Sequence, residues 1–431
     1  MKKILGAVAK EKIVVLKNAA SLLVMQGTNY LLPLIVLPYL SRILGPEKFG
    51  AVFFAQMFIN YFMILSDYGF NFVGVRQIAQ NKDNTDKVNS IVSSIYTLRV
   101  IFGLIGLIIL LIVINVFSRF EEDKWIYIFT YGMVVGNILL PTWFFQGIQK
   151  MKYITLLNFL SKFTFTISIF FLVKNQEDYL LVPLLNGIGY IIAGVIGVII
   201  LKKYYFIKFF IVSKAKIREQ LQNGFNVFMS NMSISAYTST NAFILGNIVS
   251  NVQMGYYGGV EKLIQPFKFM FAPVYNAVFP YFAKLVTNNR DKAIKEMKWG
   301  VFLSVILGLC VFICIVILAE PIIILVLGNE FLEGINIFYV FSLLLLITPI
   351  SYFLFNVVFL SFSLEKYSMK IYIAGGILNI IILITLLQIL ESASIAAALS
   401  NVITQFVNLI LATIFLNSFI KKERRRSIKN E

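Results

Sequence analysis

Apolar segments long enough to cross a lipid bilayer follow one another along almost the whole chain. A membrane-spanning helix needs about 20 predominantly apolar residues, and about twelve segments meet that length. Only 14% of the 431 residues are charged, too few to cover the surface of a water-soluble protein of this size. The sequence therefore predicts an all-α polytopic membrane protein. Its predicted transmembrane helices lie at 14–40, 49–72, 91–117, 125–146, 153–173, 179–201, 225–249, 256–282, 299–320, 335–360, 371–390 and 393–418.

Basic residues are concentrated on one side of this predicted topology. Of the 38 lysines and arginines, 28 lie at the termini or in alternate loops, while five lie in the opposite loops and five within spans. Because lysine and arginine accumulate in cytoplasmic loops, we expect a multi-pass membrane protein with both termini in the cytoplasm. A nucleic-acid-binding surface is not expected, although the net charge is +17, because the basic residues are spread over seven separate segments.

The longest basic loop divides the chain into two halves of six spans each. A shift of 205 residues aligns 40–59 with 245–264 and brings Gly50 onto Gly255. Both halves begin on the same side, which is typical of parallel repeats that enclose a substrate site near the middle of the membrane. We therefore expect two parallel six-helix repeats around a central cavity. The predicted parts are an N-terminal bundle, a basic cytoplasmic linker, a C-terminal bundle and a basic cytoplasmic tail, at residues 1–201, 202–224, 225–418 and 419–431.

The first span carries polar residues and prolines that hydrocarbon disfavours. Gln26 and Asn29 lie at mid-depth, and Pro33 and Pro38 follow in the outer half. Polar groups inside a span face protein or water, and neighbouring helices or water can satisfy the carbonyl groups that proline leaves without a donor. We therefore expect Gln26 and Asn29 to line the cavity.

The seventh predicted span has a stripe of polar residues at helical spacing. The stripe consists of Asn226, Ser230, Ser233, Tyr237 and Asn241. It favours a cavity lining, because it runs almost the full length of the span. Hydrogen bonding between packed helices is the alternative, since small polar residues commonly serve that purpose in membranes.

Charged residues lie deep within two other spans. Lys162 shares a face with Asn158 in the fifth span, and Glu261, Gln265 and Lys268 share a face with Tyr275 in the eighth. Intramembrane cations are costly and usually line a pathway or pair with an acid. A cavity with a cationic middle would attract an anionic substrate.

Two further basic residues lie nearer the predicted membrane surfaces. For Arg99 and Lys262 we expect the side chain to extend towards water, and Arg99 is also a candidate for the cavity. Glu261 and Lys262 are candidates for coupling or gating.

Residues for catalysis or metal binding are missing from the pattern. The chain contains no histidine and no glycine-rich phosphate loop, and it has only two cysteines, Cys310 and Cys314. Both cysteines lie in an apolar run, where we expect small core residues rather than metal ligands. The sequence predicts no catalytic residues, no metal and no cofactor, so the protein is not expected to be an enzyme.

Two segments carry a resemblance to a known family. Residues 37–80 contain a Gly-Pro-Glu turn, the motif Asp67-Tyr68-Gly69-Phe70 and then Arg76, and residues 141–163 contain an aromatic-Gln-Gly sequence before a basic turn. They resemble bacterial polysaccharide flippases of the Wzx type, in the multidrug/oligosaccharidyl-lipid/polysaccharide (MOP) exporter superfamily that includes the MATE transporters. On this resemblance, Asp67 and Arg76 are candidates for a gate or a headgroup contact, with a structural ion pair as the alternative.

The resemblance implies a function in the assembly of surface polysaccharide, such as O-antigen, capsule or exopolysaccharide. The expected activity is alternating-access translocation of undecaprenyl-diphosphate-linked oligosaccharide to the outer leaflet, with an H⁺ or Na⁺ gradient as the energy source. Expected partners are the lipid-linked oligosaccharide, membrane lipids, the polysaccharide polymerase and chain-length proteins. A cation-coupled small-molecule or drug antiporter on the same scaffold is the alternative. A glycan-assembly enzyme is disfavoured, because polar loops and catalytic groups are missing.

Overall fold

The computed structural model describes the backbone of residues 2–121 and 123–430. It describes the side chains of residues 25–421 except Tyr30, Glu122, Ser230, Ser233, Ile234 and 236–238.

Regular structure in this part of the chain is helical throughout. The α-helices are α1 (Lys2–Asp67), α2 (Phe70–Asn81), α3 (Thr85–Val116), α4 (Ser118–Glu121), α5 (Lys124–Leu139), α6 (Thr142–Gly147), α7 (Met151–Leu172), α8 (Leu181–Tyr204), α9 (Lys214–Thr238), α10 (Thr240–Gly246), α11 (Asn251–Phe269), α12 (Ala272–Asn288), α13 (Arg290–Ile317), α14 (Ala319–Val326), α15 (Ile335–Ser342), α16 (Leu344–Ser351), α17 (Glu365–Ile389) and α18 (Ala393–Asn430). Two 3₁₀ helices lie at Gln176–Leu180 and Asn329–Gly334, and a π-helix lies at Tyr352–Phe359.

Ten helical segments among the described residues are long and apolar enough to cross a membrane. The predicted all-α polytopic fold is therefore confirmed. The first two predicted spans are joined into one segment, Met25–Asn81, and the predicted span 225–249 is not among the ten.

Gly45 separates the two spans that α1 joins. Its φ of 63° and ψ of 175° interrupt the helix, and only glycine adopts that conformation without strain. Pro46 follows, and proline disfavours helical geometry in the residue before it. The first two predicted spans are thus separate helices that meet at a Gly-Pro turn.

The chain divides into two compact units. The first comprises residues 1–44 and 51–232, and the second comprises residues 45–50 and 233–431. Residues 205–213 connect α8 to α9, so the predicted linker 202–224 is helical at both of its ends.

The core of the first unit is built around the aromatic residues of α6. Trp143, Phe144 and Phe145 are almost completely buried and pack with Ile95 and other apolar side chains of α2, α3 and α7. This cluster fixes α2, α3, α6 and α7 relative to one another within the unit.

Glycines bring α5 and α8 into backbone contact in the same unit. A Cβ atom on Gly132 would lie 3.2 Å from the Cα of Gly187. Small residues permit this close approach of membrane helices. The glycines of these two spans are therefore packing surfaces.

In the second unit, α13 presents much of its surface outward. Leu303, Ile313 and Ile317 are exposed although they are large and apolar, as expected for a helix that faces lipid. Cys310 and Cys314 are also exposed on α13. The expectation that they are core residues was wrong, because hydropathy alone does not separate lipid-facing from protein-facing positions.

The predicted single helix over 225–249 is also wrong. α9 begins at Lys214 and ends at Thr238, and α10 covers Thr240–Gly246. The predicted polar stripe therefore spans two helices and both compact units. Ser230, Ser233 and Tyr237, three of its members, have side chains outside the described residues.

Candidate functional site

The motif Asp67-Tyr68-Gly69-Phe70 forms a sharp turn between α1 and α2. Tyr68 and Gly69 have positive φ angles of 46° and 80°, which places both in the left-handed region. Tyr68 stacks between Phe102 and Phe228, with ring centroids 4.8 and 4.7 Å apart. The turn directs the side chain of Asp67, the last residue of α1, towards α3.

Arg99 of α3 forms a buried ion pair with Asp67. Its Nη2 donates to Asp67 Oδ1 at 2.5 Å and to Asn71 Oδ1 at 3.2 Å, and Asn71 Oδ1 also accepts from Thr142 Oγ1 at 3.1 Å. The Arg99 side chain is 1% exposed and that of Asp67 is 14% exposed. Asn71 and Thr142 were not identified from the sequence, although Asn71 directly follows the motif.

Arg99 also stabilises the end of α5. Its Nη1 donates to the carbonyl oxygens of Asn137 and Leu140, each at 3.2 Å. The last carbonyl groups of a helix lack intrahelical donors, and Pro141 supplies no N–H. The guanidinium therefore connects the α1–α2 turn to the α5–α6 turn.

The expectation that Arg99 extends towards water was wrong, because acceptors on α1, α2 and the end of α5 hold its side chain inside the protein. The structural ion pair considered for Asp67 is present, but its partner is Arg99. Arg76 lies exposed on α2 and forms no ion pair within the described part of the chain. Asp67, Arg99 and Asn71 thus form a mainly structural network, and Arg76 remains available at the surface.

Lys162 lies half-buried in α7 and contacts α1. Its Nζ donates to the backbone carbonyl oxygen of Asn29 at 3.4 Å. One turn away, Asn158 Nδ2 donates to the Ile154 carbonyl at 3.0 Å and lies 3.6 Å from the Met25 sulfur. Gln26 is half-buried on the same segment of α1. The structure therefore brings Lys162, Asn158 and Asn29 together in the first unit.

A second charged group lies on α11 in the second unit. Glu261 accepts a hydrogen bond from the Gln265 side chain, and the charges of Lys268 and Lys262 act on it. Its Oε2 atom is buried without a hydrogen-bond partner among the described residues. Lys262 places its Nζ 5.4 Å from the centre of the Phe49 ring. We call Glu261, Lys262, Gln265 and Lys268 the α11 cluster.

Tyr275 does not extend this cluster, contrary to expectation. α11 ends at Phe269 and α12 begins at Ala272, so Tyr275 lies in α12. There its hydroxyl donates to Ser304 Oγ at 2.8 Å. The predicted face of the eighth span ends with Lys268.

The two described asparagines of the predicted seventh-span stripe lie in different environments. Asn226 is exposed on α9. Asn241 is completely buried, and its Nδ2 donates to Ser400 Oγ at 2.8 Å and to the Ala397 carbonyl at 3.1 Å. Asn241 therefore links α10 to α18 by hydrogen bonds. This arrangement agrees with the alternative given for the stripe, hydrogen bonding between packed helices.

Sequence reasoning missed a buried polar cluster in the second unit. Asn379 Nδ2 donates to Thr404 Oγ1 at 3.0 Å, and the amide oxygens of Asn241, Asn379 and Asn408 have no hydrogen-bond partner among the described residues. The spacing of Ser400, Thr404 and Asn408 could have indicated it, since residues four apart share a helix face. Within the described residues, no group of three or more Cys, Asp or Glu side chains could hold a metal ion.

Residues 15–286, more than half of the chain, match the family model described as "Polysaccharide biosynthesis protein". The chain belongs to this polysaccharide biosynthesis protein family. The family resemblance inferred from the motifs is thus confirmed.

Two relatives match this family member over most of its length. It is 27% identical over 405 residues to the "Putative O-antigen transporter" of Escherichia coli (strain K12), covering 93% of this chain and 96% of the relative. It is 26% identical over 372 residues to the protein of the same description in Shigella dysenteriae, covering 85% and 91%.

Solved structures show that the family member has the fold of the MOP superfamily. An inward-facing multidrug resistance MATE transporter of that superfamily matches with a TM-score of 0.73 at 12% identity, covering 91% of this chain and 96% of the transporter. The lipid II flippase MurJ in an inward closed conformation matches with a TM-score of 0.69 at 13% identity, covering 93% and 87%.

Proposed function

We propose that this protein is a flippase for a lipid-linked oligosaccharide. It moves undecaprenyl-diphosphate-linked repeat units across the bacterial cytoplasmic membrane for the assembly of a surface polysaccharide. The observation that carries the proposal is the similarity to an O-antigen transporter over 93% of this chain, within a polysaccharide biosynthesis family.

The intramembrane lysines support an anionic substrate. Lys162 and Lys268 lie within candidate spans, where a cation is costly unless it has a partner or a function. Lys162 has only a carbonyl oxygen at 3.4 Å as its hydrogen-bond acceptor within the described residues, so a diphosphate would supply the missing negative charge. In this proposal the two lysines contact the diphosphate during translocation.

Transport of this kind requires no covalent chemistry by the protein. The diphosphate headgroup crosses by alternating access, and both termini lie in the cytoplasm. A cation gradient drives the cycle, with Glu261 as the coupling carboxylate because its Oε2 atom lacks a hydrogen-bond partner in the described part of the chain. The polymerase and chain-length proteins receive the translocated units.

Deletion of the gene tests the proposal. The deletion strain should accumulate lipid-linked repeat units that stay inaccessible to a glycosidase added outside intact spheroplasts, and it should lose surface glycan. Expression of the wild-type chain should restore both. A strain that keeps its surface glycan and changes only its drug sensitivity would instead identify a small-molecule antiporter, for which the MATE-like fold is suitable.

A further inference from the structure

A cleft on the second unit has no role in the function proposed so far. It has a volume of about 230 Å³ and lies between α12 and α13, with the π-helix residue Phe353 at its base. Nearly all of its lining is apolar or aromatic. Its lining includes Tyr275, Val278, Tyr281, Glu296, Trp299 and Ser304.

Internal contacts hold the walls of this cleft in place. Tyr275 donates to Ser304 Oγ at 2.8 Å across it, and Phe282 packs edge-on against Phe353 with ring centroids 5.8 Å apart. Phe353 fits against Gly300, where a side chain would collide with its ring. The cleft therefore exists before a ligand enters, which lowers the entropic cost of binding.

The edges of the cleft carry exposed apolar and aromatic side chains. Tyr281, Trp299 and Leu303 at its edges are exposed, and both helices lie in candidate spans. Two of its polar lining groups, the hydroxyls of Tyr275 and Ser304, already bond to each other, so a hydrocarbon chain that enters leaves neither of them unpaired.

Basic residues continue both lining faces beyond one end of the cleft. Lys284 follows Tyr281 by three residues on α12, and Lys292 precedes Glu296 by four residues on α13, so each shares a face with the lining. Both lysines are exposed. Five basic and two acidic residues lie within 284–298, so this end attracts anions despite Glu296.

We propose that this cleft binds the polyprenyl chain of the lipid-linked substrate, with its phosphate groups at Lys284 and Lys292. The inference rests on the proposed flippase function and adds a docking site on the lipid-facing side of α12 and α13. Pockets for complete small ligands measure roughly 300–1,000 Å³, so the cleft suits a segment of a chain. A chain bound here places its headgroup at the basic end of the two helices.

The test uses the full chain in phosphatidylcholine nanodiscs and radiolabelled polyprenyl monophosphate without sugar. Photoreactive p-benzoylphenylalanine replaces Val278 inside the cleft or, as a matched control, Ala277, which is exposed on the same helix outside it. Crosslinking should be strong at 278 and weak at 277. Excess unlabelled polyprenyl monophosphate should compete, whereas phosphatidylglycerol should not.

Two tryptophan variants give an independent readout. Val278→Trp fills the cleft and should weaken polyprenyl monophosphate binding about tenfold, because about two buried CH₂ groups are lost. Ala277→Trp should bind as the wild type does, and Lys284→Gln with Lys292→Gln should weaken binding of the phosphate but not of the uncharged prenol.

Two results would overturn the docking site. One is equal crosslinking at 277 and 278, and the other is equal competition by phosphatidylglycerol, which would identify an ordinary bilayer lipid. Neither affects the flippase proposal, which fails separately if the deletion strain does not accumulate lipid-linked repeat units.

Discussion

Lys162 donates a hydrogen bond to the carbonyl of Asn29, which is the carbonyl that Pro33 leaves without an intrahelical donor. In an α-helix the N–H of residue 33 would bond to the oxygen of residue 29, but proline has no N–H. The Nζ atom of Lys162 lies 3.4 Å from that oxygen. A lysine on α7 therefore compensates for a proline on α1, and this explains why a membrane helix tolerates Pro33.

A double substitution separates the structural role of Lys162 from a role in transport. Lys162→Leu should lower the melting temperature in detergent, because an unpaired buried carbonyl costs about 1–3 kcal/mol. Adding Pro33→Ala supplies the missing N–H and should restore the melting temperature. Surface glycan, measured per amount of protein in the membrane, should stay low in both variants if Lys162 contacts the diphosphate.

Lys162→Arg is the control that keeps the positive charge, and it should retain most export. Recovery of glycan together with stability in the double variant would show that Lys162 only caps the carbonyl of Asn29. The contact with the substrate would then be rejected.

The buried pair of Asp67 and Arg99 should behave as one structural unit. Removing one partner of a buried ion pair costs about 3–5 kcal/mol, since the other charge is left uncompensated. Asp67→Ala and Arg99→Ala should each lower the melting temperature and the amount of protein in the membrane. The double variant should be more stable than the two single effects predict when added together.

Arg76→Ala is the matched control for this experiment. Arg76 is exposed and forms no ion pair within the described residues, so its replacement should leave the melting temperature unchanged. Additive effects of Asp67→Ala and Arg99→Ala would contradict the coupling inferred from the 2.5 Å contact.

The sequence was sufficient to predict the class of fold and the positions of most spans. Spanning length and apolar content are local properties, so they are readable without a structure. The effect of Pro33 was also predictable, because the missing N–H follows from the residue type alone.

The partners of the polar residues could not be predicted in the same way. Arg99 is nearer the end of its span, and hydropathy favours extension towards water. Its burial depends on α1, α2 and α5, whose residues accept its hydrogen bonds, and helical periodicity identifies a face but not the helix that packs against it. The same limitation explains why Asn241, expected in a cavity wall, bonds to α18.

Gly50 and Gly255 form a close helix crossing within the second unit. A Cβ atom on Gly50 would overlap the Asn251 carbonyl oxygen and lie 2.5 Å from the Gly255 nitrogen, and one on Gly255 would overlap the Pro46 carbonyl oxygen. Positions 46 and 251, like 50 and 255, differ by 205 residues. Each glycine therefore packs against the residue that lies 205 positions from the residue packed against the other glycine, which is the shift that aligns the two halves of the sequence.

Alanine substitutions test this crossing. Gly50→Ala and Gly255→Ala should each destabilise the protein by about 1–3 kcal/mol, because overpacking forces the two backbones apart. Gly27→Ala is the control, since none of the described residues lies within 4 Å of a Cβ atom there, and alanine should stabilise that helix by about 0.5–1 kcal/mol. Equal melting temperatures for all three variants would show that the crossing is not close in the protein.

The α11 cluster allows a test of coupling that keeps the shape of the side chain. Glu261→Gln removes the negative charge but retains an oxygen that can accept from Gln265. The amount of protein in the membrane should therefore stay near that of the wild type, whereas glycan export should fall about tenfold or more, as expected for a functional intramembrane charge. Unchanged export would exclude Glu261 from coupling.

Lys268 supplies the second half of this experiment. Lys268→Met leaves Glu261 with Lys262, one of the two cations that act on it, so one negative and one positive charge remain and the melting temperature should stay near that of the wild type. Export should nevertheless fall if Lys268 contacts the anionic headgroup directly. Wild-type export by a stable Lys268→Met variant would reject that contact.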